Sequence, residues 1–225
     1  MSSRWIGLGL ILVMTLFGIV VSSALPERMP IHWGLNGEVD GYGSRTVAVW
    51  LIPSIGLVVW LLFIFLPRID PVPADRGASF RPTLGRYANA LLLFLAVVHG
   101  VILGSALGWP VSVTRTIGLG VGLLFVALGS EMGRLGRNSI VGIRLPWTLA
   151  DAEVWRESHR IGGRIMLISG VFIALGSLVL PPVGAAVAIG VVVIGMLIGM
   201  IGYSYWVAMK KRRTAASTDD ILKNP

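Results

Sequence analysis

The chain has 225 residues, of which 55% are hydrophobic and only 13% are charged, and its formal net charge is +8. Soluble domains carry about 25% charged residues. The composition therefore excludes an ordinary soluble globular protein and favours a polytopic membrane protein. The chain contains no cysteine, which excludes a disulfide framework and a thiolate metal site.

The apolar residues are concentrated in six segments that are long enough, or nearly long enough, to cross a bilayer. A helical span needs ~20 residues, and the segments are residues 5–25, 47–66, 88–107, 117–132, 165–180 and 183–209. Pro181 and Pro182 separate the last two. Because proline removes a helical donor and clashes with the preceding turn, we predict a tight hairpin there. The predicted fold is all-α, with six transmembrane helices in the plasma membrane.

The basic residues predict the orientation of these helices. If both termini are cytoplasmic, sixteen of the nineteen lysines and arginines lie inside, and only Arg28, Arg45 and Arg115 lie outside. The positive charge is then spread over topological anchors, which argues against direct binding of nucleic acid. A cleavable signal peptide is the alternative interpretation of the first segment. Its apolar run is longer than the ~7–15 residues of such a leader.

We divide the chain into residues 1–86, a two-helix unit with a long external loop, residues 87–209, a four-helix region, and residues 210–225, a basic cytoplasmic tail. The tail is polar from residue 214, and we expect disorder there. Glycines four residues apart allow close helix packing in lipid and suggest a homodimer as one use of these faces. These pairs are Gly104/Gly108, Gly118/Gly122, Gly129/Gly133 and Gly195/Gly199.

Residues 26–45 form the long polar interruption between the first two apolar segments. The residues around Pro30 should be extended, because a residue before proline avoids the helical region. Asn36-Gly37 is a turn signal. Trp33 and Tyr42 suit a loop that lies against the headgroup layer.

The same loop contains potential metal ligands. Asn36, Glu38 and Asp40 alternate like the start of a calcium loop, but Val47 stands where the closing glutamate of an EF-hand would be. His32 with Glu38 or Asp40 could bind zinc, although a dense ligand spacing is missing. We therefore predict no metal and no cofactor.

The second polar stretch, residues 138–163, is predicted to be cytoplasmic. Thr148 followed by Asp151 resembles an N-terminal capping box. A helix beginning near Leu149 would place Trp155 and His159 on one face. We interpret it as an interfacial helix leading into the fifth span, which serves either as a membrane anchor or as a protein-docking surface.

Two ionisable residues lie near membrane depth. His99 is well inside the third apolar segment, and Glu131 is near the cytoplasmic end of the fourth. Such groups are costly in lipid and usually face the bundle interior or a wet cavity. Their different depths predict that the two side chains are not in contact.

Both loops resemble the signatures of the SdpI-type immunity family. The external loop matches PxxxPIHWxxxGxxDGYGSR from Pro26 to Arg45. The cytoplasmic loop matches the second-half signature of the family at Asn138, Gly142, Ile143, Arg144, Pro146, Trp147, Thr148, Trp155, His159 and Gly163. Carried over to this chain, the resemblance implies a toxin-sensing loop formed by Pro30, His32, Trp33, Gly37, Asp40, Tyr42 and Arg45. It implies a cytoplasmic signalling element formed by Asn138, Gly142, Arg144, Pro146, Trp147, Thr148, Trp155 and His159.

The resemblance implies a non-enzymatic membrane protein that protects the cell from a toxic peptide of the sporulation-delaying type. In the best-known member it also implies that a winged-helix autorepressor is held at the membrane. Two alternatives remain open. One is a small transporter or channel that uses His99 and Glu131. The other is a metal-dependent hydrolase that uses His32, Glu38 and Asp40, for which the sequence has neither an H-E-x-x-H motif nor a serine elbow.

Overall fold

The computed structural model describes residues 2–69 and 80–223. Seven α-helices, one short 3-10 helix (Ser22–Ala24) and one two-stranded antiparallel sheet are the regular elements of this part of the chain. In chain order the α-helices and strands are α1 (Ser2–Val21), β1 (Arg28–Trp33), β2 (Val39–Ser44), α2 (Arg45–Ile69), α3 (Phe80–Ala106), α4 (Val113–Met132), α5 (Pro146–Ala150), α6 (Ala152–Val179) and α7 (Pro182–Lys223).

The six predicted spans are confirmed as six helices whose length and apolar composition are sufficient to cross a membrane. The helices extend beyond the apolar segments at several ends. α3 begins at Phe80 and α6 at Ala152. The expected disorder from residue 214 is wrong as far as Lys223, because α7 continues to that residue. Residues 70–79 of the loop between the second and third spans lie outside the described residues.

The predicted hairpin at Pro181-Pro182 is confirmed. α6 ends at Val179 and α7 begins at Pro182, a position where the missing proline N–H removes no helical bond. The backbone N–H of Leu180 donates to the carbonyl of Gly176 at 3.0 Å, and that of Ala185 donates to Pro181 at 2.9 Å. The two helices are therefore joined with almost no intervening loop.

Helix α3 packs against α1, α2 and α4, and α6 packs against α4 and α7. The β-sheet lies at one end of the bundle, which we call the hairpin end. The opposite end, which we call the basic end, carries the start of α1, the end of α2, the start of α3, residues 133–151 and the C-terminal part of α7. Many apolar side chains, such as Val20 and Val179, are exposed on the sides of the bundle, as lipid-facing residues are.

The closest helix contact is between α4 and α6. A Cβ on Gly129 would lie 2.6 Å from the carbonyl oxygen of Gly163, and a Cβ on Gly122 would lie 2.6 Å from that of Gly170. Two of the predicted glycine pairs, Gly118/Gly122 and Gly129/Gly133, thus contribute to packing within the chain. Gly195 has no neighbour within 4 Å of its Cβ position, and homodimerisation stays a prediction.

Candidate functional site

The β-sheet is attached to the bundle by Met29. This side chain is fully buried and packs in an apolar cluster with Leu25, Ala48, Val49 and Leu103. The extended backbone predicted around Pro30 is confirmed, since β1 pairs antiparallel with β2. Met29 therefore anchors the base of the sheet to the hairpin end of the bundle.

Two irregularities in strand pairing determine how the sheet displays its side chains. Pro30 pairs with Tyr42, His32 with Gly41, and Trp33 with Val39, so the register omits Ile31 and Asp40. Such bulges turn a side chain away from its regular direction. Gly41 is required opposite His32, because a Cβ there would lie 2.7 Å from the Cβ of His32.

The bulges bring together His32 and Asp40, two residues of the predicted sensing loop. Nδ1 of His32 donates to Oδ1 of Asp40 at 2.5 Å. The two side chains are 72% and 53% exposed, so the pair is presented to the surroundings. A contact between two exposed side chains contributes little to stability, so stability gives little reason for this pairing.

The turn between the strands has the conformation predicted from Asn36-Gly37. Gly37 has a φ of +83°, which favours glycine. Asn36 donates from Nδ2 to Glu38 at 2.8 Å, and its Oδ1 accepts from the N–H of Glu38 at 3.2 Å. The turn lies above the bundle, since a Cβ on Gly37 would be 3.1 Å from Oγ1 of Thr114 and 3.5 Å from Pro182.

Of the remaining predicted loop residues, Pro30, Tyr42 and Arg45 lie towards the base of the sheet, whereas Trp33 pairs with Val39 beside the turn. The guanidinium of Arg28 lies 4.5 Å from the centre of the Tyr42 ring, a cation–π contact. Arg45 is the first residue of α2, and its backbone N–H donates to the carbonyl of Glu27 at 3.0 Å. Pro30 and Trp33 are half-buried.

At the basic end, Asn138 organises the loop between α4 and α5. The residue is fully buried. Its Nδ2 donates to the carbonyls of Gly136 at 2.8 Å and Val141 at 3.1 Å, and its Oδ1 accepts from the N–H groups of Ile140 and Val141, both at 2.8 Å. Four hydrogen bonds from one amide fix the loop, which explains an asparagine at this position.

His159 is also fully buried and joins α6 to the same loop. Its Nδ1 donates to the carbonyl of Trp155 at 2.8 Å, and its Nε2 accepts from the N–H of Ile143 at 3.0 Å. The rings of His159 and Trp155 stack with 3.8 Å between their centres. Nε1 of Trp155 donates to the carbonyl of Leu135 at 2.8 Å. Trp155 and His159 share one face of α6, as predicted. That face is buried, and α6 continues to Val179, so the expected separate interfacial helix is wrong.

The predicted capping box is also wrong. Thr148 lies inside the short helix α5, where its Oγ1 accepts from the N–H of Leu145 at 2.9 Å and donates to the carbonyl of Ile143 at 2.5 Å. Asp151 is itself the N-cap of α6 and accepts from Glu153 and Val154. Lys211 of α7 lies 2.8 Å from the same carboxylate and holds its pKa below the usual value.

Pro146 and Trp147 begin α5, as proline does at many helix starts. Nε1 of Trp147 donates to Oγ of Ser204 at 3.1 Å and ties α5 to α7. Arg144 is exposed and donates to the carbonyl of Ser139. Gly142 and Arg144 border an apolar cavity of about 440 Å³, lined also by Met132, Met166, Met196 and Met200.

His99 and Glu131 are not in contact, which confirms the prediction from their different depths. Nε2 of His99 donates to the carbonyl of Met14 at 3.1 Å in the contact between α1 and α3. Glu131 lies at the basic end and forms ion pairs with Arg86 at 2.8 Å and Arg134 at 2.9 Å. Within residues 2–69 and 80–223, no group of three or more His, Asp and Glu side chains is placed to hold a metal ion.

The structure shows three site features that sequence reasoning missed. These are the anchoring role of Met29, the Arg28–Tyr42 contact, and the ion pairs that join Lys211 to Asp151 and Glu153. The alternation of side-chain directions along β1 is the sequence signal from which the buried position of Met29 could have been found. Nothing local indicates that a lysine near the C-terminus would meet residues some sixty positions earlier.

The comparisons with known proteins match both halves of the chain. The SdpI/YfhL protein family matches residues 134–205, and a domain of unknown function (DUF1648) matches residues 9–57. The immunity protein SdpI of Bacillus subtilis (strain 168) is 29% identical over 160 residues, which cover 71% of this chain and 74% of the relative. No solved structure matches the chain.

The two family regions contain the two loops on which the resemblance depends. The 134–205 match includes the buried network around Asn138 and His159, and the 9–57 match includes the His32–Asp40 sheet. Together with six helices able to span a bilayer, these findings make the chain a multi-pass protein of the plasma membrane. The chain is similar to the SdpI/YfhL protein family over residues 134–205 and to the immunity protein SdpI over most of its length.

Proposed function

We propose that this protein is a non-enzymatic immunity protein that protects its cell from a secreted toxic peptide. The similarity to an immunity protein over most of the chain supports this function. The observation that carries the proposal is the exposed His32–Asp40 pair. A hydrogen-bonded imidazole and carboxylate that are both exposed can bind a peptide.

The sensing site in this proposal is the sheet at the hairpin end, which faces the outside of the cell when both termini are cytoplasmic. Met29 holds the sheet close to α1, α2 and α3. A peptide that contacts His32 and Asp40 can therefore transmit a change in position to the helices. Such a change requires different affinities for two arrangements of the bundle.

The second part of the proposal is recruitment of a winged-helix repressor at the basic end. The predicted signalling residues Asn138, Thr148, Trp155 and His159 are buried, so their role there is to shape the surface. The exposed surface is a groove of about 590 Å³ between α6 and α7 that includes Arg156, Trp206 and Lys210. Arg156→Glu should release a fluorescently tagged repressor from the membrane and leave protection unchanged.

A transporter is the alternative function, and it would use His99 and Glu131. Their separate partners do not support a shared path. Glu131 is neutralised by two arginines, whereas His99 lies in a helix contact whose neighbours are Phe17 and Met14. A transporter predicts that His99→Ala and Glu131→Gln abolish function while changes in the external sheet are tolerated.

The experiment that tests immunity is survival of a toxin-sensitive bacterium that expresses the chain. The challenge is a peptide of the sporulation-delaying type, and an empty vector is the control. We expect survival at peptide concentrations that kill the vector strain. Equal killing at verified membrane expression would contradict the proposed function.

A further inference from the structure

A pocket at the basic end has the chemistry of a site for an anionic phospholipid headgroup. It lies between the start of α1, the end of α2 and the start of α3, and its volume is about 560 Å³. Four arginines line it, one from α1, one from α2 and two from α3. They are Arg4, Arg68, Arg81 and Arg86.

Among the described residues, few carboxylates compensate the positive charge of this pocket. Arg86 pairs with Glu131 at 2.8 Å, but the same carboxylate also pairs with Arg134 at 2.9 Å. In the described part of the chain, no carboxylate lies within ion-pair distance of Arg4 or Arg81. Clustered cations repel one another, so an anion bound between them is stabilised.

Apolar side chains contribute to the walls of the pocket. Nε1 of Trp60 donates to the carbonyl of Arg4 at 3.2 Å, which fixes α2 against the first turns of α1. Gly7 permits this contact, because a Cβ there would lie 2.7 Å from the Trp60 ring. Phe63 lies beside Trp60 in the wall. A pocket lined by both arginines and apolar side chains suits a ligand with a charged head and an apolar body.

We propose that this pocket binds the phosphodiester of an anionic membrane lipid. Arginine donors form paired hydrogen bonds with phosphate oxygens, and basic pockets between transmembrane helices on the cytoplasmic side are suited to such headgroups. The lipid joins the N-terminal ends of α1 and α3 to the C-terminal end of α2. It is a structural ligand and is independent of toxin recognition at the other end of the bundle.

The test is lipid competition on the full-length protein in detergent, read by native mass spectrometry. The probes are phosphatidylglycerol and phosphatidylcholine with identical acyl chains at equal concentrations. We expect the wild-type chain to retain phosphatidylglycerol preferentially. Each surface cation contributes roughly fivefold to such association, so Arg4→Gln with Arg81→Gln should reduce the preference by about 25-fold.

The matched control is Arg212→Gln with Arg213→Gln, which removes the same charge from the basic end outside the pocket. It should retain the wild-type preference, and glycerol phosphate without acyl chains should not compete. Equal retention of the two lipids by the wild-type chain would overturn the proposal. So would an equal loss of preference in the control variant, which would indicate general surface charge.

Discussion

Gly142 has a φ of +116°, and a Cβ at this residue would overlap Nε2 of His159. The same Nε2 accepts the hydrogen bond from the next backbone N–H, that of Ile143. The glycine and the histidine therefore form one unit that positions the loop between α4 and α5 on α6. This relationship gives a structural reason for two residues of the basic-end signature.

We expect Gly142→Ala to destabilise the protein. The left-handed backbone costs about 1–3 kcal/mol with a side chain, and displacement of His159 would remove a buried hydrogen bond worth about 1 kcal/mol. The measurement is thermal unfolding of the purified protein in detergent. Gly100→Ala is the control, since no atom lies within 4 Å of that Cβ position. An unfolding temperature for Gly142→Ala equal to that of the control would contradict the assigned contact.

The close contact between α4 and α6 predicts a second glycine at which an added side chain destabilises the protein. Gly129→Ala places a methyl group 2.6 Å from a backbone oxygen of Gly163, and backbone cannot move aside as a flexible side chain can. Overpacking of this kind costs about 1–3 kcal/mol. Gly195→Ala, on a face with no neighbour within 4 Å, should leave the unfolding temperature of the monomer unchanged. Equal effects of the two variants would contradict the packing of α4 against α6.

Asp151 should contribute to stability through two separable interactions. Asp151→Ala removes both the cap of α6 and the ion pair with Lys211, and the loss of a cap costs about 1 kcal/mol. Asp151→Asn keeps an oxygen for the cap and removes only the charge, so its effect should be smaller. Unfolding in denaturant measures the two variants. A larger loss for asparagine than for alanine would contradict the assignment of Asp151 as the cap.

The same residue predicts a pH dependence. The hydrogen bond from Lys211 lowers the pKa of Asp151 below its ordinary value of 3.8. The contribution of the charged form is therefore fully present above pH 3.8 and is lost as the pH falls through the lowered pKa. The wild-type protein should lose more stability than Asp151→Asn when the pH falls below this value. Parallel pH profiles of the two proteins would show that the ion pair contributes nothing.

The absence of cysteine from the chain allows a direct test of the predicted orientation. Leu35→Cys introduces a thiol in the sheet's turn, where the side chain is 70% exposed, and Ala215→Cys introduces one on exposed α7. A membrane-impermeant maleimide added to intact cells should label the first variant and not the second. After the cells are lysed, both should react. Labelling of Ala215→Cys alone in intact cells would reverse the orientation.

Much of the fold could be predicted from local sequence. Long apolar segments predict the six helices, Pro181-Pro182 predicts the last hairpin, and Asn36-Gly37 predicts the turn of the sheet. Each of these signals acts within a few residues. The helix ends were harder to predict, because polar first turns of α3 and α6 lower the hydropathy although the helices continue.

The basic-end site could not be predicted because its determinants are distant in sequence. His159 bonds to Ile143, Trp155 bonds to Leu135, and Lys211 pairs with Asp151. The spacing of Thr148 and Asp151 imitates a capping box, but tertiary hydrogen bonds assign Thr148 to α5 and Asp151 to the start of α6. The candidate residues at both ends of the bundle could be identified from the sequence. Their burial could not, and burial is what separates the residues with a structural role from the exposed ones.

The measurement that tests the account most directly is survival of cells carrying His32→Ala during challenge with the toxic peptide. Glu38→Gln is the matched control, because Glu38 lies in the same sheet's turn and its side chain accepts a hydrogen bond from Asn36 rather than contacting His32 or Asp40 among the described residues. Both variants should reach the membrane at wild-type levels, since Met29 still anchors the sheet. We predict that His32→Ala loses protection and that Glu38→Gln retains it. Full protection by His32→Ala would contradict recognition through the exposed His32–Asp40 pair.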